Sequence, residues 1–133
     1  MSAINQTKKT VLALDIRVAR SFFERVRGLI GSSSLEPGEG FLIPSCKGIH
    51  TFGMNYPIDA IYINRGGEVI GIMSHLAPNS IGIVNFRAHS VLELPPGVIE
   101  GTHTEVGDLI SILSTPSSEI PLLSQEIFYP APH

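Results

Sequence analysis

Alternation governs the first apolar stretch of the chain. In Thr10–Val18, TVLALDIRV, Leu12, Leu14, Ile16 and Val18 fall on one face at period two. Asp15 and Arg17 fall on the other, which predicts a half-buried strand. The period then lengthens. In Ala19–Ile30, ARSFFERVRGLI, Phe22, Val26, Leu29 and Ile30 recur three or four residues apart, the signature of a short helix with one apolar side. Ser21 with Glu24 has the spacing of a capping box, and Gly31 is a natural stop. So short a helix must be held by packing. Residues 32–40 read as a loop and Phe41–Pro44 as a strand ended by its proline. Ile58–Asn64 and Glu68–Met73 flank Arg65-Gly66-Gly67, which predicts a β-hairpin whose glycines supply positive φ angles. Further strands are expected at Ile81–Phe86, Ser90–Leu94 and Leu109–Leu113, with a single helical turn within Val98–Val106.

These elements define one β-rich domain over residues 10–114. The polar residues 1–9 are expected to be disordered. Residues 115–133 form a Pro-containing tail whose Leu122, Leu123, Ile127, Phe128 and Tyr129 can dock on a neighbouring surface. A length of 133 residues suits a single core, and 43% apolar against 16% charged residues argues for order. Thirteen Gly and ten Pro imply many turns, which leans the class towards β.

Charge narrows the partners. The net charge is -3 and no run of Lys or Arg is longer than Lys8-Lys9, so no nucleic acid is expected. No apolar run reaches the roughly 20 residues that span a bilayer, and the N-terminus lacks the apolar centre of a signal peptide. A single cysteine, Cys46, fits a reducing compartment, and the cytoplasm is the expected location.

Candidate chemistry concentrates in Ser45–Ile63. Cys46, His50 and Met54 have the ligand types of a blue-copper site, but no second histidine precedes them, and no metal or cofactor is expected. Cys46 and His50 can also be read as a nucleophile and its base, or Cys46 as a small buried apolar residue. Asp59 and Glu93 each lie in a strand between apolar neighbours, Asp59 on the face of Ile61 and Glu93 on that of Val91. If both faces are covered, their carboxylates are buried and need partners. Arg25 and Arg27 are the available cations, about 200° apart around a helix axis, so at most one points fully inwards. One outcome is a structural salt bridge. The other is a shared pocket lined by Arg27, His50, Asp59 and Glu93, in which a guanidinium grips an anion. Asp108 reads as a turn residue, and His75, His89, His103 and His133 carry no pattern.

Four motifs stand in order: Arg25-Val26-Arg27-Gly28-Leu29-Ile30-Gly31, then His50-Thr51-Phe52-Gly53-Met54 with Pro57-Ile58-Asp59, then Val91-Leu92-Glu93-Leu94-Pro95 with Gly97, then Gly107-Asp108. Together, over roughly residues 19–112, the chain resembles the widespread prokaryotic family called domain of unknown function 192. The resemblance implies a mainly β (α+β) fold, a compact antiparallel, barrel-like sheet with one or two short helices. It implies no established activity. The functional expectation is a domain that binds a small polar or anionic ligand, or a partner segment, through Arg25, Arg27, Cys46, His50, Met54, Asp59 and Glu93. A hydrolase or transferase using His50 with Asp59 or Glu93 is the first alternative. A structural or interaction domain without a small-molecule site is the second.

Overall fold

The computed structural model describes residues 1–21 and 34–114. Most of the helix expected at residues 19–30, with Arg25 and Arg27, and the tail at 115–133 lie outside the described residues. The chain order is β1 (Ser2–Asn5), β2 (Thr10–Ala13), β3 (Asp15–Val18), β4 (Glu39–Pro44), β5 (Gly48–His50), β6 (Ile58–Ile63), β7 (Val69–Leu76), β8 (Ile81–Val84), β9 (Ser90–Leu94), α1 (Val98–Gly101) and β10 (Ile110–Leu113).

The strands form three sheets, and none closes into a barrel among the described residues. The central sheet has the order β3-β4-β9-β6-β7. Only its β3–β4 pair is parallel. A three-stranded sheet, β10-β1-β2, and a two-stranded sheet, β5-β8, are the others among the described residues.

The central sheet is covered on both faces. Every residue of β6 and β9 is buried, so these strands read as mainly apolar runs interrupted by one carboxylate each. On one face Ile61, Ile63, Leu92 and Leu94 pack with Leu12, Ala13 and Ile16, and with Val98 and Ile99 of α1. On the other, Phe41, Ile43 and Ile58 pack with Met54 and Leu76, while Ala60, Tyr62 and Val91 pack with Ala88. Complete burial of one such aliphatic side chain contributes about 1.5–3 kcal/mol.

The hairpin of β6 and β7 forms as the pattern predicts. The Asn64 side-chain oxygen accepts from the amides of Gly66 and Glu68, and Gly67 takes φ 87. Two expectations are corrected. Residues 1–9 are not disordered. Ser2–Asn5 is a buried strand that pairs with both β2 and β10, and its two apolar residues are too few to give a period. The stretch Thr10–Val18 is two strands rather than one. It breaks at Leu14, where the amides of Leu14 and Asp15 both donate to the Gly38 carbonyl and the chain crosses from the three-stranded to the central sheet.

The last turn is tied to the first. Asp108 is buried and accepts from the Asn5 amide at 2.9 Å, from Lys8 Nζ at 2.8 Å and from the Glu105 backbone N–H at 3.0 Å. Burial alone would raise its pKa, but these hydrogen bonds hold the carboxyl below its ordinary value.

Candidate functional site

The stretch that follows β4 is a pinned loop. Ser45 adopts φ 53 directly after Pro44. The Cys46 amide donates to the His89 carbonyl, and its thiol donates to the Gly48 carbonyl at 3.0 Å. Thr51 is the anchor of the H-T-F-G-M motif. Its buried hydroxyl bridges the Ala77 carbonyl and the Ser80 amide, and its backbone exchanges bonds with Asn79 and Ser80. Gly53, at φ 81, donates its amide to the Asn79 side chain. Met54 is buried in the core. His50 is exposed, stacks on Phe52 with ring centroids 5.3 Å apart, and accepts from the Phe52 amide at Nδ1.

Asp59 and Glu93 are both buried, but they face opposite ways. Cross-strand partners share a face, and the β6–β9 register sets Asp59 against Leu94 and Ala60 against Glu93. The two carboxylates therefore belong to different layers and line no common pocket. Asp59 is a clamp. Oδ1 accepts from the His75 amide at 2.9 Å, while Oδ2 accepts from the amides of Gly97 at 3.1 Å and Ile99 at 2.9 Å. It ties β6 to the end of β7 and to the start of α1.

Glu93 lies in the row Phe41–Glu93–Ala60, beside the layer that holds Tyr62 and Cys46. It is 2% exposed, and Oε2 has no hydrogen-bond partner among the described residues. Burial pushes its pKa up to about 8, so at neutral pH it is chiefly the neutral acid. Tyr62 donates its hydroxyl to the Ile83 carbonyl at 2.7 Å. Burial, then the nearby Cys46 and Glu93, push its pKa up to about 12.

The structure thus brings Cys46, Tyr62 and Glu93 towards one layer and sets Asp59 behind the sheet. His50 stands on the surface, and Arg25 and Arg27 lie outside the described residues. Among the described residues no group of three or more His, Cys, Asp and Glu side chains is placed to hold a metal ion.

A cleft of about 600 Å³ opens where the chain enters β5. Lys47, Arg65, Arg87 and His89 line it, with Phe86 at 80% exposure among its walls. Three loops supply these groups. Lys47 leads into β5, Arg65 is in the β6–β7 turn, and Phe86, Arg87 and His89 are in the β8–β9 connection. The connection is fixed by Asn85, which accepts from the Arg87 amide and donates to the Ile70 carbonyl. His89 donates its amide to the Ile63 carbonyl, which sets the connection against the hairpin. Lys47 Nζ donates to the carbonyls of Phe86 at 2.9 Å and Ala88 at 3.2 Å, so its charge is held at the cleft. Among the described residues no Asp or Glu lines the cleft. Among the described residues, none of Lys47, Arg65 and Arg87 makes an ion pair. Sequence reasoning missed these residues because each cation stands alone in its own loop, and only the topology collects them.

The comparisons agree with the β architecture. The sequence matches the family described as "Uncharacterized ACR", domain of unknown function 192, over residues 3–112. A UPF0127 protein of Thermococcus sibiricus is 32% identical over 111 residues, covering 80% of this chain and 71% of that protein. A UPF0127 protein of Pyrococcus horikoshii is 30% identical over 111 residues, covering 80% of this chain and 95% of that protein. A solved protein of unknown function from Novosphingobium aromaticivorans superposes with a TM-score of 0.71 at 18% identity, covering 84% of this chain and 82% of that one. A protein from Sinorhizobium meliloti described as a putative transcription regulator gives 0.68 at 20% identity, covering 83% and 89%. At those identities the two solved structures speak for the fold alone. With its motifs in order and the match running from β1 into β10, this chain belongs to the domain of unknown function 192 family.

Proposed function

We propose that this domain binds a small anion and performs no chemistry on it, with the anion held in the cleft of Lys47, Arg65, Arg87 and His89. One observation carries the reading. Lys47, Arg65 and Arg87 share one concavity whose wall holds no Asp or Glu among the described residues, in a chain whose acids outnumber its Lys and Arg twelve to nine. Unpaired like charges repel, and an anion relieves that cost. Guanidinium forks match the planar geometry of oxyanions, and a lysine adds a point charge. The H-T-F-G-M loop is then scaffold, because Thr51 fixes the strand pair whose other end reaches the cleft.

A relay built on His50 has less support. Asp59 commits both oxygens to backbone amides, and Glu93 is a neutral acid at the opposite face of the sheet.

Calorimetric titration of the full chain with inorganic phosphate at low ionic strength tests the proposal. Saturable binding is expected, weakening with added salt and weakening roughly tenfold or more in Arg65→Ala and in Arg87→Ala, with both variants melting as the wild type does. His50→Ala, outside the cleft, is expected to bind normally. Absence of saturable binding in the wild type, or equal affinity in the arginine variants, overturns it.

A further inference from the structure

Resting on the anion-binding reading, we propose that the natural ligand of the cleft is a mononucleotide: a phosphate ester whose planar base stacks on Phe86. Three observations converge on this class. The first is size. A cleft of about 600 Å³ is in the range of small-molecule sites and leaves most of its space empty around a bare oxyanion. The second is Phe86 itself. A phenyl ring at 80% exposure keeps its apolar surface in water, which burial under a ligand would relieve, and it lines the same cleft as the cations. Its backbone is not loose. The Phe86 carbonyl accepts from Lys47, and Asn85 anchors the residues on either side. The ring is therefore presented from a fixed support beside fixed charge, the pairing of aromatic platform and cation that binds nucleotides without base-specific hydrogen bonds. The third is charge. A phosphomonoester carries about -1.5 to -2 at neutral pH, which the cleft cations match.

A polymer fits the molecule less well than a monomer does. Phosphate backbones are followed by an extended track of cations. Here three of the nine Lys and Arg residues sit at one cleft, in a chain of net charge -3.

The test compares inorganic phosphate, ribose 5-phosphate and AMP by calorimetry on the full chain, in the wild type, Phe86→Ala and Arg87→Ala. Phe86 is so exposed that its truncation leaves the fold intact, which a thermal melt verifies. AMP is expected to bind about tenfold or more tighter than ribose 5-phosphate, as stacking on an aromatic ring provides. Phe86→Ala erases that ratio and keeps phosphate affinity, whereas Arg87→Ala weakens all three probes. Equal affinity for AMP and ribose 5-phosphate in the wild type overturns the mononucleotide and leaves the anion site standing. Failure of all three probes overturns both readings. A single-stranded oligonucleotide that binds more tightly than AMP overturns the mononucleotide in favour of nucleic acid.

Discussion

Glu93 is the residue at which this sequence departs furthest from a plain β core. Burial pushes its carboxyl from the ordinary 4.5 up to about 8 in the folded chain. Between those values the folded chain keeps a proton that the unfolded chain has released. Stability is therefore fully present below the lower value and falls as pH rises towards the upper one, by at most about 1.4 kcal/mol per pH unit. Urea unfolding across about pH 4 to 9 is expected to show this decline in the wild type. Glu93→Gln, which cannot ionise, is expected to give a flatter profile and to be the more stable protein at the alkaline end. Parallel profiles would show that Glu93 ionises in the folded state as it does in water. That both acids are buried was legible from their apolar neighbours. That they face opposite ways was not, because the register of β6 on β9 decides it and no single strand records its own register.

Among the elements, α1 depends most on a residue outside itself. It has four residues, far too few to stand alone, and its N-cap Gly97 brings no side chain to its first amides. Asp59 supplies the acceptor from β6. Asp59→Ala is expected to cost on the order of 3 kcal/mol, since it orphans amides held by a charged acceptor. Hydrogen exchange should quicken first at Gly97, Ile99 and His75. Uniform protection across the variant would refute the clamp.

The long apolar hairpin was readable because its two runs flank a glycine turn. Strand β8 misleads by its pattern. In IGIV the two isoleucines suggest an inward face, yet Ile81 and Ile83 are exposed and Gly82 is buried. The reason is proximity. A Cβ at Gly82 would come within 2.9 Å of the Tyr62 hydroxyl and 3.0 Å of Ile49, so only glycine lets the strand lie that close. Strand β5 was missed because its three residues, Gly48–His50, are ordered by pairing with β8 rather than by their own sequence.

For the whole molecule, the described strands form three open sheets, the central one covered on both faces, and the proposed anion site is built from loops. That cleft was not legible at all. Lys47, Arg65 and Arg87 are about twenty residues apart in sequence, and the motifs directed attention to His50 and Asp59 instead. In the fold the motif loop is fastened to residues 77–80 at one end of the β5–β8 pair, and the cations gather around the other end. The most direct measurement is an amide chemical-shift map of the full chain titrated with inorganic phosphate. Saturating shifts are expected at Lys47, Arg65, Gly66 and Arg87 through His89, with Thr51 to Met54 and the α1 amides still. Shifts centred on His50 to Met54, or none that saturate, would contradict the proposed anion site.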